Sequence, residues 1–186
     1  MDELLLHVLD IVQNSISAGA SLISVEIRER VEEDLLEITV EDNGRGMDEE
    51  TLKMVEDPFF TTKSGKKVGL GIPLLKQTAL STGGDLKVES QAGKGTRIKA
   101  KFPRSHIDLP PLGDLRGTIL ALVYASERAD ILFRYLKNGK ELVLDTREIK
   151  AILNDVPLLH PSVIKFLREF INEKVKELER TFPEQD

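Results

Sequence analysis

The stretch Asp42-Asn43-Gly44-Arg45-Gly46-Met47 follows directly on an alternating apolar segment at 35–42. The alternation predicts a β-strand, which pairs as a hairpin with a second β-branched segment at 21–30. Alternate glycines after a strand let the backbone approach a flat ligand, and a fixed carboxylate there can accept a hydrogen bond from an exocyclic amine. A tight turn explains the spacing equally well, so this stretch alone leaves both interpretations open.

A helix is predicted upstream, from Glu3 to Ala18, because apolar residues recur there at three- and four-residue steps and Gly19 follows. Asp10 and Asn14 lie four residues apart, which places their side chains on one helix face. An amide oxygen can ligate Mg²⁺, and a carboxylate one turn away can accept a proton from a group aligned for phosphoryl attack. Taken alone, the pair is better explained as part of a solvated face.

The segment after the glycines predicts a short helix and then a mobile lid. Asp48 can cap a helix that runs to Val55, and the loop at 57–68 has hydroxyls and lysines but no periodic apolar face. Pro58-Phe59-Phe60-Thr61-Thr62-Lys63 opens the loop, and Gly69-Leu70-Gly71 closes it before a helix predicted at 72–82. The free N–H groups of such a helix start can bind phosphate, and Lys63 can add positive charge.

The rest of the chain predicts a second hairpin, a linker and a small C-terminal domain. The hairpin joins 86–90 to 97–102 through Gly93-Lys94-Gly95-Thr96. A linker at 104–114, which contains Pro110-Pro111, separates a domain at 1–103 from one at 115–186. The second domain is predicted to begin with a strand at 118–124 and a hairpin that pairs 131–136 with 141–144. Two helices are predicted to follow, at 146–153 and from Pro161 to Leu178.

Composition excludes several classes of function. The chain has 186 residues, a net charge of −6 and no cysteine. The acidic balance argues against nucleic-acid binding, and the lack of thiols excludes disulfides and cysteine nucleophiles. No apolar run approaches the ~18 residues of a membrane helix, and Asp2-Glu3 stands where a signal peptide would be basic. These features predict a cytoplasmic protein with no membrane contact and no metal other than Mg²⁺.

Five motifs in this order resemble the nucleotide-binding boxes of the GHKL superfamily, which groups DNA gyrase, heat-shock chaperones, sensor histidine kinases and mismatch-repair ATPases. The phenylalanine-rich box followed by a glycine box is most similar to histidine kinases, whereas 14–20 is closer to the mismatch-repair branch. The resemblance covers about residues 4–102. Its motifs are Asp10-x-x-x-Asn14, Asp42-x-Gly44-x-Gly46, Pro58-Phe59-Phe60-Thr61-Thr62-Lys63, Gly69-x-Gly71 and Gly93-x-Gly95-Thr96.

The resemblance implies an α/β fold, a two-layer sandwich of the Bergerat type with helices on one face of a mixed sheet. The residues beyond it are predicted to add a small C-terminal α+β appendage. The resemblance also implies that ATP binds with Mg²⁺ between the helices and the lid. The residues that it assigns to the nucleotide are Asn14 for the metal, Asp42 for the adenine amine, Gly44, Gly46, Met47 and Thr96 near the base, and Thr62, Lys63, Gly69, Leu70 and Gly71 near the phosphates.

The catalytic position departs from the family pattern. The resemblance places Asp10 where the family usually has glutamate, and aspartate is one methylene shorter. A small displacement of a catalytic base can remove its effect. The sequence therefore supports nucleotide binding more strongly than nucleotide turnover.

Two functions therefore stay open: a stand-alone kinase that passes the γ-phosphoryl group to a protein partner, and a module whose lid switches partner binding without phosphotransfer. His7, His106 and His160 are better explained as structural residues than as phosphoacceptors. The apolar stripe of the last helix either packs on its own hairpin, or forms a homodimer or a contact with a partner.

Overall fold

A computed structural model describes residues 3–57 and 70–180. In these ranges the strands form one six-stranded sheet in the order β3-β4-β2-β1-β5-β6. The elements are α1 (Leu4–Ser17), β1 (Leu22–Arg30), β2 (Leu35–Asp42), α2 (Glu49–Glu56), α3 (Gly71–Ser81), β3 (Asp85–Gln91), β4 (Gly95–Pro103), α4 (Leu115–Ala125), β5 (Asp130–Lys137), β6 (Lys140–Asp145), α5 (Thr146–Leu153) and α6 (Pro161–Glu179).

The sheet is mixed. The three predicted hairpins are confirmed as the antiparallel pairs β1–β2, β3–β4 and β5–β6, and β2 also pairs antiparallel with β4. β1 and β5 are parallel, with Leu22 opposite Asp130 and Glu29 opposite Lys137. The α/β architecture expected from the family resemblance is therefore the one observed.

The two faces of the sheet differ in chemistry because side chains alternate along each strand. The face under the helices is apolar and buried, with residues such as Val25, Ile38 and Phe133 at its centre. The opposite face carries cross-strand ion pairs, including Glu26 with Arg134 at 3.2 Å. This alternation fixes which residues at the strand ends point toward the helices.

One predicted strand is wrong: residues 118–124 lie in helix α4. The Asp114 side chain caps this helix by accepting a hydrogen bond from the Gly117 N–H at 3.0 Å. Its buried residues follow the three- and four-residue steps of a helix, and they are Leu115, Thr118, Ile119, Leu122 and Val123. The C-terminal region consequently contains three helices in the described residues, where the sequence predicted two.

The sheet crosses the predicted domain boundary. β5 lies beyond the segment 104–114 and pairs with β1 along its whole length. That segment contains no helix or strand, yet Pro111 and Leu112 accept hydrogen bonds from the N–H groups of Leu4 and Leu5 at 3.1 and 3.0 Å. Residues after 114 therefore complete the same sheet and core, and the segment 104–114 holds the start of α1.

Helix α6 packs within its own chain. Its apolar stripe is buried, with Ile164, Leu167, Ile171, Val175 and Leu178 facing inward. An Arg116–Glu179 ion pair at 3.0 Å ties α6 to α4. This burial favours self-packing of the stripe over the homodimer that the sequence left open.

Glu29, at the end of β1, joins the two parts of the chain. It accepts a hydrogen bond from the Tyr135 hydroxyl and forms ion pairs with Arg104 at 3.1 Å and Lys137 at 3.5 Å. Burial alone would raise the pKa of Glu29, but the hydrogen bonds from Tyr135 and Arg104 and the charges of Lys137 and Arg104 together lower it. Burial, and then the bond to Glu29, raises the pKa of Tyr135.

Among the described helices, none combines the length and apolar character that a transmembrane span requires.

Candidate functional site

A cavity of about 550 Å³ lies where β2 ends, and α1, α2, α3 and β4 contribute to its wall. This volume is within the range of small-molecule sites. The residues that line it include Ser15 and five of the predicted site residues: Asn14, Asp42, Gly46, Met47 and Thr96. The fold thus brings together motifs from distant parts of the sequence.

A larger cavity, about 720 Å³, lies at the opposite end of the sheet between two hairpin turns. Its Arg30, Lys137 and Glu141 are already paired, with Glu33, Glu29 and Arg134 respectively. Because these charged side chains already bind one another, few of them are free to bind a ligand. The larger volume therefore does not make this cavity the better candidate for the functional site.

The Asp42 carboxylate is fixed at the base of the smaller cavity. The Ser15 hydroxyl donates a hydrogen bond to Oδ2 at 2.6 Å, and the Gly44 N–H donates one to Oδ1 at 2.8 Å. Each oxygen keeps a further lone pair that can accept a bond from a ligand. Ser15 was not predicted as a site residue, although a serine beside Asn14, at a position of the apolar helix face, was a usable signal.

Thr96 and Ser90 lie beside Asp42 in the sheet. Thr96 on β4 is the register partner of Asp42 on β2 and of Ser90 on β3. The Ser90 hydroxyl lies 2.8 Å from the Thr96 hydroxyl and accepts a hydrogen bond from the Met47 N–H at 2.9 Å. Ser90 was also missed, and only the hairpin register, written out residue by residue, could have found it.

Gly46 is required by backbone packing. Its φ is +67°, and a Cβ at this position would lie 2.0 Å from the carbonyl oxygen of Gln91. The Gly93 N–H of the same hairpin donates a hydrogen bond to Arg45 O at 2.7 Å, and on the other side of the turn the Arg45 N–H donates one to Ala18 O at 2.9 Å. The glycine stretch is therefore a tight turn that also forms a cavity wall, so the two interpretations of its sequence are compatible.

Gly71 brings the start of α3 against α1. A Cβ on Gly71 would lie 2.9 Å from Asp10 Cβ and 3.0 Å from His7 O. No side chain caps the α3 N-terminus in the described residues, and Leu70 at that position is exposed. Free N–H groups of the first turn consequently lie close to Asp10.

The Asn14 and Asp10 side chains are available for a ligand. Asn14 is half-buried and lines the cavity, whereas Asp10 is exposed and lies outside the cavity lining. Within 3–57 and 70–180, no group of three or more His, Asp or Glu residues is arranged to hold a metal. A cation at Asn14 would therefore take most of its ligands from phosphate and water, as Mg²⁺ commonly does.

Three of the predicted site residues, Thr62, Lys63 and Gly69, lie outside the described residues, as does most of the predicted lid.

The family model for histidine kinase-, DNA gyrase B- and HSP90-like ATPases matches residues 2–106, more than half of the chain. The chain belongs to this ATPase family. The family resemblance predicted from the five motifs is confirmed.

Curated relatives of this ATPase domain include kinases. Sporulation kinase C of Bacillus subtilis is 42% identical over 66 residues, which are 36% of this chain and 15% of the relative. Sensor kinase CckA of Brucella abortus is 37% identical over 87 residues, 46% of this chain and 9% of the relative. The chain thus spans only a small part of either protein.

A solved structure shares the fold. The N-terminal domain of a DNA repair protein superposes on 78% of this chain and 53% of its own, with a TM-score of 0.52 and 15% sequence identity. At this identity, the likeness concerns the fold alone.

Proposed function

We propose that this ATPase-family chain binds ATP with Mg²⁺ and transfers the γ-phosphoryl group to a side chain of a partner protein. The observation that carries the proposal is the Asp42 carboxylate, held by Ser15 and Gly44 at the base of a cavity of about 550 Å³. A carboxylate with fixed oxygens and remaining lone pairs suits the exocyclic amine of adenine. Similarity to named kinases supports the choice of phosphotransfer.

The nucleotide is proposed to extend from Asp42 toward α3. Gly46 and Met47, which line the cavity, are proposed to lie beside the base, with Gly44 in the same turn, and Thr96 adds a hydroxyl. The phosphates are proposed to bind at the α3 N-terminus, at Leu70 and Gly71; the family resemblance adds Thr62, Lys63 and Gly69, which lie outside the described residues. The amide oxygen of Asn14 would hold Mg²⁺, and the ion would neutralise phosphate charge.

Asp10 is proposed as the general base for the attacking group. It is exposed, lies on the same helix as Asn14 and is adjacent to the start of α3. A partner side chain can therefore reach it from solvent. An acceptor hydroxyl or imidazole nitrogen would give its proton to the Asp10 carboxylate as its oxygen or nitrogen bonds to the γ-phosphorus. The bond from that phosphorus to the β,γ-bridging oxygen would break, and ADP would leave.

A second candidate function is a nucleotide-gated interaction module. It is favoured by Asp10, whose carboxylate is one methylene shorter than the glutamate expected from the family pattern. Incubation of the protein with labelled ATP and copurifying partners distinguishes the two functions. Label on a partner supports the kinase, whereas nucleotide-dependent exchange protection without label or phosphate release supports the module.

Two isosteric variants test the assignment of the site. Asp42→Asn replaces an acceptor oxygen by a donor facing the adenine amine, and the loss of a charged hydrogen bond is worth about 1.5–3 kcal/mol, or about 10- to 150-fold in affinity. Asp10→Asn removes only the base, so it should keep ATP affinity and lose turnover. Calorimetric titration with ATP and Mg²⁺, together with phosphate release, measures both.

Unchanged ATP affinity in Asp42→Asn would contradict the proposed site, provided that circular dichroism shows the wild-type fold. Equal loss of affinity in both variants would contradict the division of roles.

A further inference from the structure

A row of three polar side chains crosses the sheet at the base of the cavity. Ser90, Thr96 and Asp42 end the helix-facing sides of β3, β4 and β2 and share one register. The residue two positions further into each strand on that face is apolar and buried: Val88, Ile98 and Val40. The row is therefore the polar margin of an otherwise apolar surface.

The hydrogen bonds of Ser90 determine where its proton lies. Its hydroxyl contacts Gly95 O at 3.0 Å, Met47 N at 2.9 Å and Thr96 Oγ1 at 2.8 Å. A carbonyl can only accept and a backbone N–H can only donate, so the single Ser90 proton goes to Gly95. Ser90 must then accept from Thr96, and all three contacts are satisfied by this arrangement alone.

The consequence for Thr96 is a fixed polarity. Its hydroxyl proton is used on Ser90, so only lone pairs remain for the cavity that Thr96 lines. Asp42 beside it is also an acceptor, since both of its oxygens already accept from Ser15 and Gly44. The two neighbouring polar side chains at the base of the cavity offer acceptors and no donor.

We propose that Ser90 is a positioning residue that sets nucleobase selectivity, by holding the Thr96 hydroxyl so that the site accepts a base with an amine at C6 and rejects one with a carbonyl. The inference rests on the proposed nucleotide site and adds a residue that touches no ligand itself. A C6 carbonyl oxygen would face two acceptors and lose the hydrogen bonds that it makes with water. Such mismatches of buried polar groups discriminate strongly between ligands.

The test compares ATP with inosine triphosphate, whose base carries a carbonyl oxygen at C6. We expect the wild-type chain to bind ATP at least about 100-fold more tightly, as a polar mismatch in a built site requires. In Ser90→Ala the Thr96 hydroxyl loses its acceptor and can turn its proton into the cavity. The selectivity ratio should fall by about tenfold, the scale of one hydrogen bond.

Two further serine variants are controls. Ser90→Thr keeps the hydroxyl and should keep the ratio. Ser105→Ala also removes a serine hydroxyl bond, to Asp34 Oδ2 at 2.8 Å, but at the opposite end of the sheet, and should leave the ratio unchanged. If Ser90→Ala fails to fold, Thr96→Val provides the test, because removing the acceptor should reduce ATP affinity more than inosine triphosphate affinity.

The ratio of ATP affinity to inosine triphosphate affinity distinguishes a positioning role of Ser90 from a purely structural one. If Ser90→Ala weakens both nucleotides equally, Ser90 only holds the turn at Met47, and the inference is overturned. A wild-type chain that binds both nucleotides equally also overturns it, together with the assignment of Asp42 to the adenine amine, but leaves nucleotide binding and phosphoryl transfer standing. A wild-type chain that binds neither nucleotide contradicts the proposed function and the inference together.

Discussion

Replacing Gly46 by alanine should destabilise the chain and the nucleotide site together. The new Cβ would lie 2.0 Å from Gln91 O and 2.7 Å from Gln91 C, both of them backbone atoms. Neither atom can rotate away as the end of a side chain could. The turn at 43–47 must therefore move away from the β3–β4 hairpin by about 1 Å or more to reach ordinary van der Waals distance.

The size of the effect follows from what that movement breaks. A left-handed backbone conformation costs an alanine about 1–2 kcal/mol. Displacement also stretches the Gly93 N–H bond to Arg45 O and the Met47 N–H bond to Ser90, initially 2.7 and 2.9 Å, each worth about 1 kcal/mol. The expected loss in free energy of unfolding is about 3–4 kcal/mol in total.

Gly93→Ala is the matched control. Gly93 has φ +80°, but a Cβ there meets nothing within 4 Å. The Gly93→Ala variant carries the same backbone strain without the steric clash. Its free energy of unfolding should therefore fall by only about 1–2 kcal/mol, and its ATP affinity should be retained. Urea unfolding measures the stabilities, and calorimetry measures the affinities. Equal losses of stability in the two variants would refute the argument that close packing, and not φ alone, requires glycine at position 46.

Two further predictions concern the join between the N- and C-terminal parts. The lowered pKa of Glu29 means that its ionised form stabilises the fold above its ordinary pKa of 4.5, and that this contribution is lost as the pH falls through the lower folded-state value. Glu29→Gln should thus lower the free energy of unfolding by about 1–3 kcal/mol at neutral pH. In urea unfolding, this difference from the wild-type chain should become smaller in acid, and a difference that does not change with pH would contradict the prediction. A chain ending at Pro103 lacks β5, leaves the edge of β1 unpaired and should neither unfold cooperatively nor bind ATP. Wild-type ATP affinity in that chain would instead support the predicted domain at 1–103.

Local patterns predicted most of the fold. The hairpins follow from alternation and from turns such as Asn138-Gly139, and α5 and α6 follow from caps and apolar stripes. Helix α4 was missed because Leu120 and Ala121, which lie between its buried residues, are also apolar. The three- and four-residue spacing is therefore hidden, and a short continuous apolar segment resembles a strand. The β1–β5 pairing was invisible because no local pattern encodes contacts between distant segments.

The candidate site was predictable where chemistry lies in a motif. Asp42, Gly46, Met47 and Thr96 do line one cavity, as does Asn14. Ser15 and Ser90 act through another side chain, so their roles depend on three-dimensional register and hydrogen-bond direction. A sequence motif records which groups are present, but not which of them donates.

The parallel pairing of β1 with β5 also sets an order of assembly. Each β1 residue meets a β5 residue 108 positions further along the chain. During synthesis the N-terminal strands can form their hairpin early, but one edge of β1 stays without a partner until β5 emerges. An unpaired strand edge can pair with another chain, so nascent polypeptides are most prone to aggregate in this interval. The first strand to be made is thus among the last to be completed.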